Sequence, residues 1–334
     1  MNVSKRSLLI GLAALVLVAG GAFTRPVAPQ PLKKVTLRLA FIYNGHRSPY
    51  LLGGAKGFFA AEGLDLSVLE GTGVSAALQL VANGQDTFAV VDPPSLMLGV
   101  AQGMPLKQVV QIYQSSPNAL IYWKDANIKT PKDMEGKTVT TITGDTTTTM
   151  LMALIRRNNV DQAKVKIFAT DGGTRTQAFL GKRAEGIVGF SNDSFLGLRA
   201  QVKDVDMFLF SDYGIDTMGD GLAANSATID KQPDVVRGFV KASIRAYQYA
   251  FEHPEESIDA LLKAAPSRNR EVELEKLKAT KKLTESPDTA KFGMGYSSKA
   301  KWQEAEDLMA QFGGLAKRAA NVEAYYTNDF LPKR

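Results

Sequence analysis

The strongest constraint in this sequence is an alternation of β-branched segments with amphipathic segments, which runs through the chain twice. The first series begins with KKVTLRLAFI, whose alternation is typical of a strand, and ends near MPLKQVVQIYQ in the order β-α-β-α-β-α-β. The second series covers about residues 123–212, and a mainly helical segment follows it. Strands that alternate with helices form mostly parallel sheets between helical layers, so the sequence predicts an α/β fold.

The restart of this pattern predicts two lobes joined by crossing strands. A chain of 334 residues is too long for one simple core, which agrees with this division. We expect residues 35–122 and 213–334 to form lobe 1, with the carboxyl-terminal helices, and residues 123–212 to form lobe 2. Ligands of open α/β sheets bind beyond the carboxyl ends of the strands, so a cleft between the lobes is predicted to carry the site.

The amino terminus has the order of a secretory signal peptide. A basic start is followed by an apolar run from Leu8 to Val18 and by small residues at positions 19–22. The run is shorter than the roughly 20 residues of a membrane span, although an uncleaved signal anchor is the alternative. We therefore expect residues 1–22 to be a signal peptide and residues 23–34 to be a linker.

The composition of the chain indicates its cellular compartment and excludes some classes of binding partner. There is no cysteine, which excludes disulfides and a thiol-linked lipid anchor, and we expect a soluble periplasmic protein. The net charge of +6 falls to +4 without Lys5 and Arg6, and the other basic residues are scattered, so nucleic-acid binding is not expected. With two histidines and no cysteine, a metal site is not expected either.

Three motifs occur in the order and spacing of one known family. SPYLLGGAKGFFAAEGLDLSVLEG, KTPKDMEGKTV and YYTNDFLP resemble segments of the periplasmic binding proteins of ABC importers for nitrate, alkylsulfonates, taurine and thiamine-pyrimidine precursors. The matches span about residues 40–331. The resemblance implies a type II periplasmic-binding-protein fold, in which two α/β lobes close on a small solute. It also implies delivery of that solute to an ABC permease and its ATPase, and we expect the protein to be a monomer.

An enzymatic branch of the same family makes the thiamine pyrimidine from its own bound pyridoxal phosphate and histidine. The resemblance places the lysine of that branch at Val91, its histidine at Ser95 and its cysteine-rich segment at TMGDGLAAN. The Schiff-base lysine is therefore missing here. We expect no catalytic residues and no cofactor in this chain.

The candidate ligand-binding residues follow predicted strands or lie near the return crossing. For His46 a surface position is an equal alternative, while Asp92 and residues 145–148 are also suited to capping the helices that follow them. Gly73 belongs to a loop that lacks both the phosphate-binding and the dinucleotide fingerprints, so we expect its backbone to approach a solute rather than a nucleotide. The full set is Tyr43, Asn44, His46, Gly73, Ser75, Asp92, Asp145, Thr146, Thr147, Phe190, Asn192, Asp193, Asp212 and Tyr213.

The charges of these loops favour one class of solute. Four aspartates stand against Arg47 and Arg175, whereas an oxyanion is bound best by several basic groups. The first hypothesis is therefore a binding protein for an aminopyrimidine or a related heterocycle. An alkylsulfonate- or nitrate-type anion is the second hypothesis, and a pyrimidine-precursor synthase and a binding protein that serves a sensor are the remaining alternatives.

Overall fold

The computed structural model describes residues 31–333. The predicted signal peptide at residues 1–22 and residues 23–30 of the predicted linker lie outside the described residues. Within residues 31–333, no helix is both long enough and apolar enough to cross a membrane. The described chain forms two five-stranded sheets, each covered by helices.

The first sheet combines strands from both ends of the described chain. Its strands are β1 (Lys33–Arg38), β2 (Leu64–Leu69), β3 (Phe88–Val91), β4 (Leu106–Gln111) and β10 (Gly221–Asn225). They lie in the order β2-β1-β3-β10-β4. Strand β1 pairs in parallel with β2 and β3, whereas β10 runs antiparallel to both of its neighbours. The late strand β10 thus closes the gap between two early strands.

The second sheet is formed by one continuous part of the chain. Its strands are β5 (Asn118–Trp123), β6 (Thr138–Ile142), β7 (Lys166–Thr170), β8 (Gly186–Phe190) and β9 (Val205–Leu209). They lie in the order β7-β6-β8-β5-β9. Strand β6 is parallel to β7 and β8, and β5 is antiparallel to β8 and β9. Each sheet therefore has one inner strand that runs against its neighbours.

Helices follow most strands, and aspartates begin several of them. Asp92, Asp145 and Asp171 each accept hydrogen bonds from backbone N–H groups of the helix that follows, which compensates for the open donors of a first turn. The helices are α1 (Ser48–Ala55), α2 (Val74–Ala82), α3 (Pro93–Ala101), α4 (Thr146–Arg157), α5 (Gly172–Leu180), α6 (Ser194–Gln201), α7 (Ser226–Lys231), α8 (Pro233–Glu252), α9 (Pro254–Ala264), α10 (Arg270–Leu283), α11 (Pro287–Phe292) and α12 (Lys299–Gln311).

The long helix α8 packs its apolar face against the first sheet. Val236, Phe239, Val240 and Tyr247 share one helical stripe, and each is at most 1% exposed. The Phe239 ring stacks on Phe88 of β3 with centroids 3.7 Å apart. The aromatic residues of this stripe are therefore core residues, as the sequence pattern indicates.

The chain crosses between the two sheets twice. The first crossing, residues 112–117, joins β4 to β5, and the second, residues 210–220, joins β9 to β10. We call the first sheet with α1–α3 and α7–α12 lobe 1, and the second sheet with α4–α6 lobe 2. Strand β5 begins at Asn118, before the predicted lobe boundary at residue 123. The exact lobe boundaries stay a prediction.

Candidate functional site

A cleft lies between the two lobes, at the carboxyl ends of their parallel strands. Its empty volume is about 890 Å3 with its open mouth included. Lobe 1 contributes the loops after β1 and β3 and the start of α2, and lobe 2 contributes the start of α4, Arg175 and the end of β8. Both crossings contribute as well. The wall residues are Ala40, Phe41, Asn44, His46, Arg47, Thr72, Gly73, Val74, Val91, Asp92, Ser116, Pro117, Asn118, Ile142, Asp145, Thr146, Thr147, Arg175, Gly189, Phe190, Asp193, Ser194 and Thr217–Asp220.

The two lobes touch on both sides of this cleft. On one side the Ser75 hydroxyl donates to the Gly144 carbonyl at 2.9 Å, and the Ser95 hydroxyl contacts that of Thr146. On the other side the Asp193 carboxylate of lobe 2 pairs with the Lys276 ammonium of lobe 1 at 3.0 Å. The cleft is therefore held in a closed arrangement.

The loop after β1 is fixed by helix α10. The Gly45 N–H donates to the Glu273 carboxylate at 2.5 Å. A Cβ atom at Gly45 would lie 1.9 Å from the Glu273 carbonyl oxygen, so only glycine allows this close approach. The contact places the neighbouring Asn44 and His46 in the cleft wall.

A buried ion pair forms the floor of the cleft. Both Nε and Nη2 of Arg47 donate to one oxygen of Asp220, at 3.1 and 2.8 Å. The two side chains are 4% and 7% exposed. Burial opposes the charge of Arg47, but the Asp220 carboxylate outweighs it and raises the pKa of the guanidinium. Arg47 and Asp220 therefore compensate each other and leave no net charge for a ligand.

A second charged cluster surrounds the Asp193 carboxylate. Lys276 donates to Glu273 at 2.9 Å and pairs with Asp193, while the His46 imidazole lies 3.7 Å from Asp193. Burial works against ionisation of Asp193, but the ammonium of Lys276 and then His46 lower the pKa of its carboxyl far below the usual range. Burial and the nearby Arg47 lower the pKa of His46 to about 4, so its imidazole is neutral at pH 7.

Five wall residues carry buried polar atoms without a hydrogen-bond partner within residues 31–333. In folded proteins the large majority of buried side-chain polar atoms are paired, so such a concentration in one cleft needs an explanation. A bound solute that reaches both lobes would supply the missing partners. The atoms are Asn44 Oδ1, both ring nitrogens of His46, Asn118 Oδ1, Thr147 Oγ1 and Arg175 Nε.

Arg175 is a buried cation without a carboxylate partner. Its Nη1 donates to the Val188 carbonyl at 2.6 Å, and it forms no ion pair with any described residue. The residue is 9% exposed, and burial lowers the pKa of its guanidinium. A polar or negative group of a ligand would compensate this charge.

Two phenyl rings face the cleft from opposite lobes. Phe41 follows β1 and Phe190 ends β8, and both line the wall. Within the described chain, neither ring stacks on another aromatic ring. Because aromatic rings pack well on planar π systems, both rings are suited to contact a flat heterocycle.

The structure decides the capping question for two candidate residues. Asp92 accepts hydrogen bonds from the Ser95 N–H at 2.9 Å and the Ser95 hydroxyl at 2.8 Å, and Asp145 accepts one from the Thr147 N–H at 2.8 Å. Both aspartates therefore cap helices, and both also line the cleft. Burial raises the pKa of the Asp92 carboxyl from 3.8 to about 6.

Nine of the fourteen residues predicted for the site lie together in the cleft wall, and none of their proposed contacts with a ligand is yet tested. They are Asn44, His46, Gly73, Asp92, Asp145, Thr146, Thr147, Phe190 and Asp193.

The other five predicted site residues lie outside the walls of the cleft. Tyr43 turns away from it, because its hydroxyl donates to the Val68 carbonyl. Ser75 bridges to Gly144 at the cleft rim. Asn192 donates to Thr280 behind the wall. The turn with Asp212 and Tyr213 follows the carboxyl end of the edge strand β9: Asp212 accepts from the Leu209 N–H, and the Tyr213 hydroxyl donates to the Lys129 carbonyl.

Several wall residues were not among the predicted site residues. Phe41 stands two positions before the predicted Tyr43. Asn118 begins β5 directly after the first crossing, and Asp220 ends the second crossing. Crossings between lobes pass along the base of a cleft, so polar residues in them are a usable signal. The sequence shows only the positive charge of Arg47 and Arg175, because their burial in the cleft wall is not visible in it.

No group of three or more His, Cys, Asp or Glu residues within residues 31–333 is arranged to hold a metal ion. The described walls of the cleft also contain no lysine and no cysteine. Val91, the position to which the resemblance assigns the lysine of the synthase branch, lies in the wall. That assignment stays a prediction.

The shifted pKa values of Asp92 and His46 predict opposite pH effects on stability. The pKa of Asp92 is raised to about 6, so its stabilising contribution is present below pH 3.8 and is lost as the pH rises through 6. The pKa of His46 is lowered to about 4, so its contribution is present above pH 6.5 and is lost as the pH falls through 4. Relative to wild type, Asp92→Asn should gain stability between pH 4 and 7, and His46→Gln should lose it.

Urea unfolding of the ligand-free protein at pH 4, 5.5 and 7 measures both trends. The two variants serve as controls for each other, because a general effect of pH on the protein changes both in the same direction. Differences from wild type that stay constant across this range would contradict the assigned pKa shifts.

Sequence comparison matches residues 44–257 to the family described as NMT1/THI5 like. A relative from Chloroflexus aurantiacus named riboflavin-binding protein RibY is 27% identical over 348 residues, which cover 98% of each chain. A formylaminopyrimidine-binding protein from Halalkalibacterium halodurans is 24% identical, covering 76% of this chain and 80% of its own. A 4-amino-5-hydroxymethyl-2-methylpyrimidine phosphate synthase from Legionella pneumophila is 26% identical, with coverages of 70% and 74%.

Structure comparison finds the same fold in solved structures. The periplasmic aliphatic sulphonate binding protein SsuA from Escherichia coli superimposes with a TM-score of 0.68, covering 90% of this chain and 94% of its own. The sequence identity of that pair is 13%, so the likeness concerns the fold. The predicted periplasmic-binding-protein fold, with two α/β lobes around a cleft, is confirmed.

Proposed function

This chain belongs to the NMT1/THI5-like family, and on that premise we propose that it is a periplasmic solute-binding protein for a small nitrogen heterocycle. The preferred class is an aminopyrimidine or a related ring, which the protein would deliver to an ABC permease and its ATPase. The observation that carries this proposal is the closed cleft with its unpartnered polar atoms and its two unstacked phenyl rings. The names of two binding-protein relatives, for riboflavin and formylaminopyrimidine, support the same class.

The proposed binding mode follows from the chemistry of the walls. A flat ring lies between Phe41 and Phe190, with its faces against the phenyl groups. Its amino or ring N–H groups donate to Oδ1 of Asn44 and Asn118, and its ring nitrogens or carbonyls accept from Thr147 and Arg175. The neutral imidazole of His46 can either donate a hydrogen bond to the solute or accept one from it, because one ring nitrogen is a donor and the other is an acceptor.

Binding would couple to closure of the two lobes. Asn44 belongs to lobe 1 and Thr147 to lobe 2, so a solute bonded to both is bound fully only when the lobes meet. A ligand with this differential affinity shifts the population toward the closed form. The crossings at residues 112–117 and 210–220 are the natural hinges of that motion.

We further propose that the protein is a monomer and performs no chemical reaction on its solute. A pyrimidine-forming synthase needs a lysine to hold its cofactor, and the described cleft wall has Val91 at that position. Appearance of a new product after incubation with the bound solute, measured by chromatography with mass detection, would favour the synthase instead.

The alternative ligand is an alkylsulfonate- or nitrate-type anion. Arg175 favours it, because this buried guanidinium has no carboxylate partner among the described residues. Asp92, Asp145 and Asp193 line the cleft and oppose a ligand that is only an anion, whereas the charge of Asp220 is compensated by Arg47. The heterocycle therefore remains the preferred solute.

A thermal-shift screen with riboflavin, 4-amino-5-hydroxymethyl-2-methylpyrimidine, methanesulfonate and nitrate tests this choice. A solute at 100 times its Kd should raise the free energy of unfolding by about 2.7 kcal/mol, which corresponds to a rise in Tm of about 5 °C. We expect one of the two heterocycles to give this shift. Mass spectrometry of the solute released from the purified protein provides the independent check. A shift with methanesulfonate or nitrate alone would contradict the heterocycle proposal.

A further inference from the structure

A second cavity adjoins the cleft on the far side of Phe41 and Asn44. We call it the side chamber, and its empty volume is about 860 Å3 with its mouth included. Its walls are formed by the amino-terminal turn of α5, by one face of α6, and by Arg268 and Lys276. The residues that line both the side chamber and the cleft are Phe41, Asn44, Arg175, Asp193 and Ser194.

Two arginines that form no ion pair with a described residue line the side chamber. Its charged wall residues are Arg175, Arg268, Lys276 and Asp193. Lys276 is compensated, because it pairs with Asp193 at 3.0 Å and with Glu273 at 2.9 Å. Arg175 and the half-buried Arg268 form no ion pair within residues 31–333. The unpaired charge of the chamber is therefore positive.

The Arg175 side chain connects the two cavities. It is 9% exposed, and its Nε atom has no hydrogen-bond partner within the described chain. An uncharged ring in the cleft would supply at most an acceptor to Arg175 and would leave Arg268 without any partner. A guanidinium offers several N–H groups in one plane, which is the geometry that suits an oxyanion. Each of the two arginines is therefore suited to bind an anionic group.

We propose that the solute of this protein is a heterocycle with an anionic arm, of the phosphate-ester class. The ring occupies the cleft, and the arm passes beside Phe41 and Asn44 into the side chamber, where Arg175 and Arg268 bind its oxyanion. This inference rests on the proposed function and makes its ligand class narrower. It also reconciles the acidic cleft with the unpaired arginines, because each end of the ligand meets groups of suitable charge.

The test compares an alcohol with its phosphate ester by isothermal calorimetry. The probes are riboflavin with riboflavin 5′-phosphate, and 4-amino-5-hydroxymethyl-2-methylpyrimidine with its phosphate. In the wild-type protein the ester of the binding pair should have a Kd at least about tenfold lower than the alcohol, because charge-assisted hydrogen bonds to the arm are added. Arg268→Gln should reduce this Kd ratio to about threefold or less.

Arg199→Gln is the matched control. Arg199 is exposed on α6, the helix that forms one wall, but it does not line the side chamber. The Arg199→Gln variant removes the same charge from the same region, so its Kd ratio between alcohol and ester should stay about tenfold. Equal loss of the ratio in both variants would show a general charge effect and would overturn the inference.

Other outcomes separate this inference from the proposed function. Binding of an alcohol with no gain from its ester would overturn the anionic arm and leave the heterocycle proposal intact. A gain of equal size when inorganic phosphate is added to the alcohol as a separate molecule would also overturn the single-ligand arm. Absence of binding by all four compounds would contradict the proposed function itself, and with it this inference.

Discussion

Replacing Arg47 by methionine is expected to lower the free energy of unfolding by about 3–5 kcal/mol. The guanidinium donates two hydrogen bonds to Asp220, and the two side chains are 4% and 7% exposed. Without Arg47, the Asp220 carboxylate stays buried with no cation to compensate it, which is the costly outcome for any buried ion pair. The loss should be measured by urea unfolding of the ligand-free protein at pH 7.

A double variant tests the physical reason. Arg47→Met combined with Asp220→Leu removes both charges, and it should recover most of the lost stability because no buried charge is left unpaired. Arg270→Met is the control for a solvent-exposed pair, since Arg270 and Asp259 are about half exposed, and it should leave the unfolding midpoint unchanged. A double variant as unstable as the single one would show that lost packing, rather than an unpaired carboxylate, causes the effect.

This ion pair also shows where sequence reasoning stops. Arg47 and Asp220 are 173 residues apart, and nothing in the local pattern of either segment indicates that they meet. The pair exists because the loop after β1 and the end of the second crossing reach the same floor of the cleft. Such a contact depends on the assembled topology, which periodicity and capping signals do not encode.

The fold itself was largely predictable, since alternating strand and helix patterns specify an α/β architecture. The main exception is β10, whose sequence GLAAN lies in a segment predicted to be mainly helical. Small apolar residues have little strand preference of their own. This strand forms because β3 and β4 offer hydrogen-bonding edges on both sides of it, and that position is set by the rest of the sheet.

The site was predictable as a set of loops rather than as a set of side chains. Loops after parallel strands converge at one edge, which brought Asn44, Asp92 and Thr147 into the cleft. The direction of each side chain was not predictable. Tyr43 and Asn44 are neighbours in sequence, yet Tyr43 donates to Val68 outside the cleft while Asn44 lines it. Adjacent side chains in this loop therefore point in different directions, and only one of the two points into the cleft.

The combined replacement of Asn44 by leucine and Thr147 by valine is expected to raise the Kd of the solute by about 10³-fold. Each side chain has a buried oxygen without a partner in the described chain, and each replacement has a similar shape. Losing a hydrogen bond to a solute group that then stays unpaired costs roughly 1–3 kcal/mol per site, or about 10- to 100-fold in Kd. Calorimetric titration of the solute found in the thermal-shift screen measures the change.

The same variants should not lower the stability of the ligand-free protein. Asn44 Oδ1 and Thr147 Oγ1 form no hydrogen bond within the described chain. Replacing them with apolar groups therefore removes the cost of burying a polar atom and breaks no hydrogen bond. Thr140→Val is the matched control in lobe 2. Its hydroxyl is fully buried but donates to the Phe168 carbonyl at 3.0 Å, so this variant should lose about 1 kcal/mol of stability and keep its affinity.

Weaker binding with undiminished stability identifies a residue whose hydrogen bond is made to a ligand. The Thr140→Val control should instead show lower stability with unchanged affinity. Loss of stability in Asn44→Leu or Thr147→Val, with affinity unchanged, would assign both oxygens to the fold and contradict the proposed binding mode. The comparison is informative because each of the three replacements exchanges a buried polar group for an apolar group of similar shape. They differ only in whether the protein itself provides the partner.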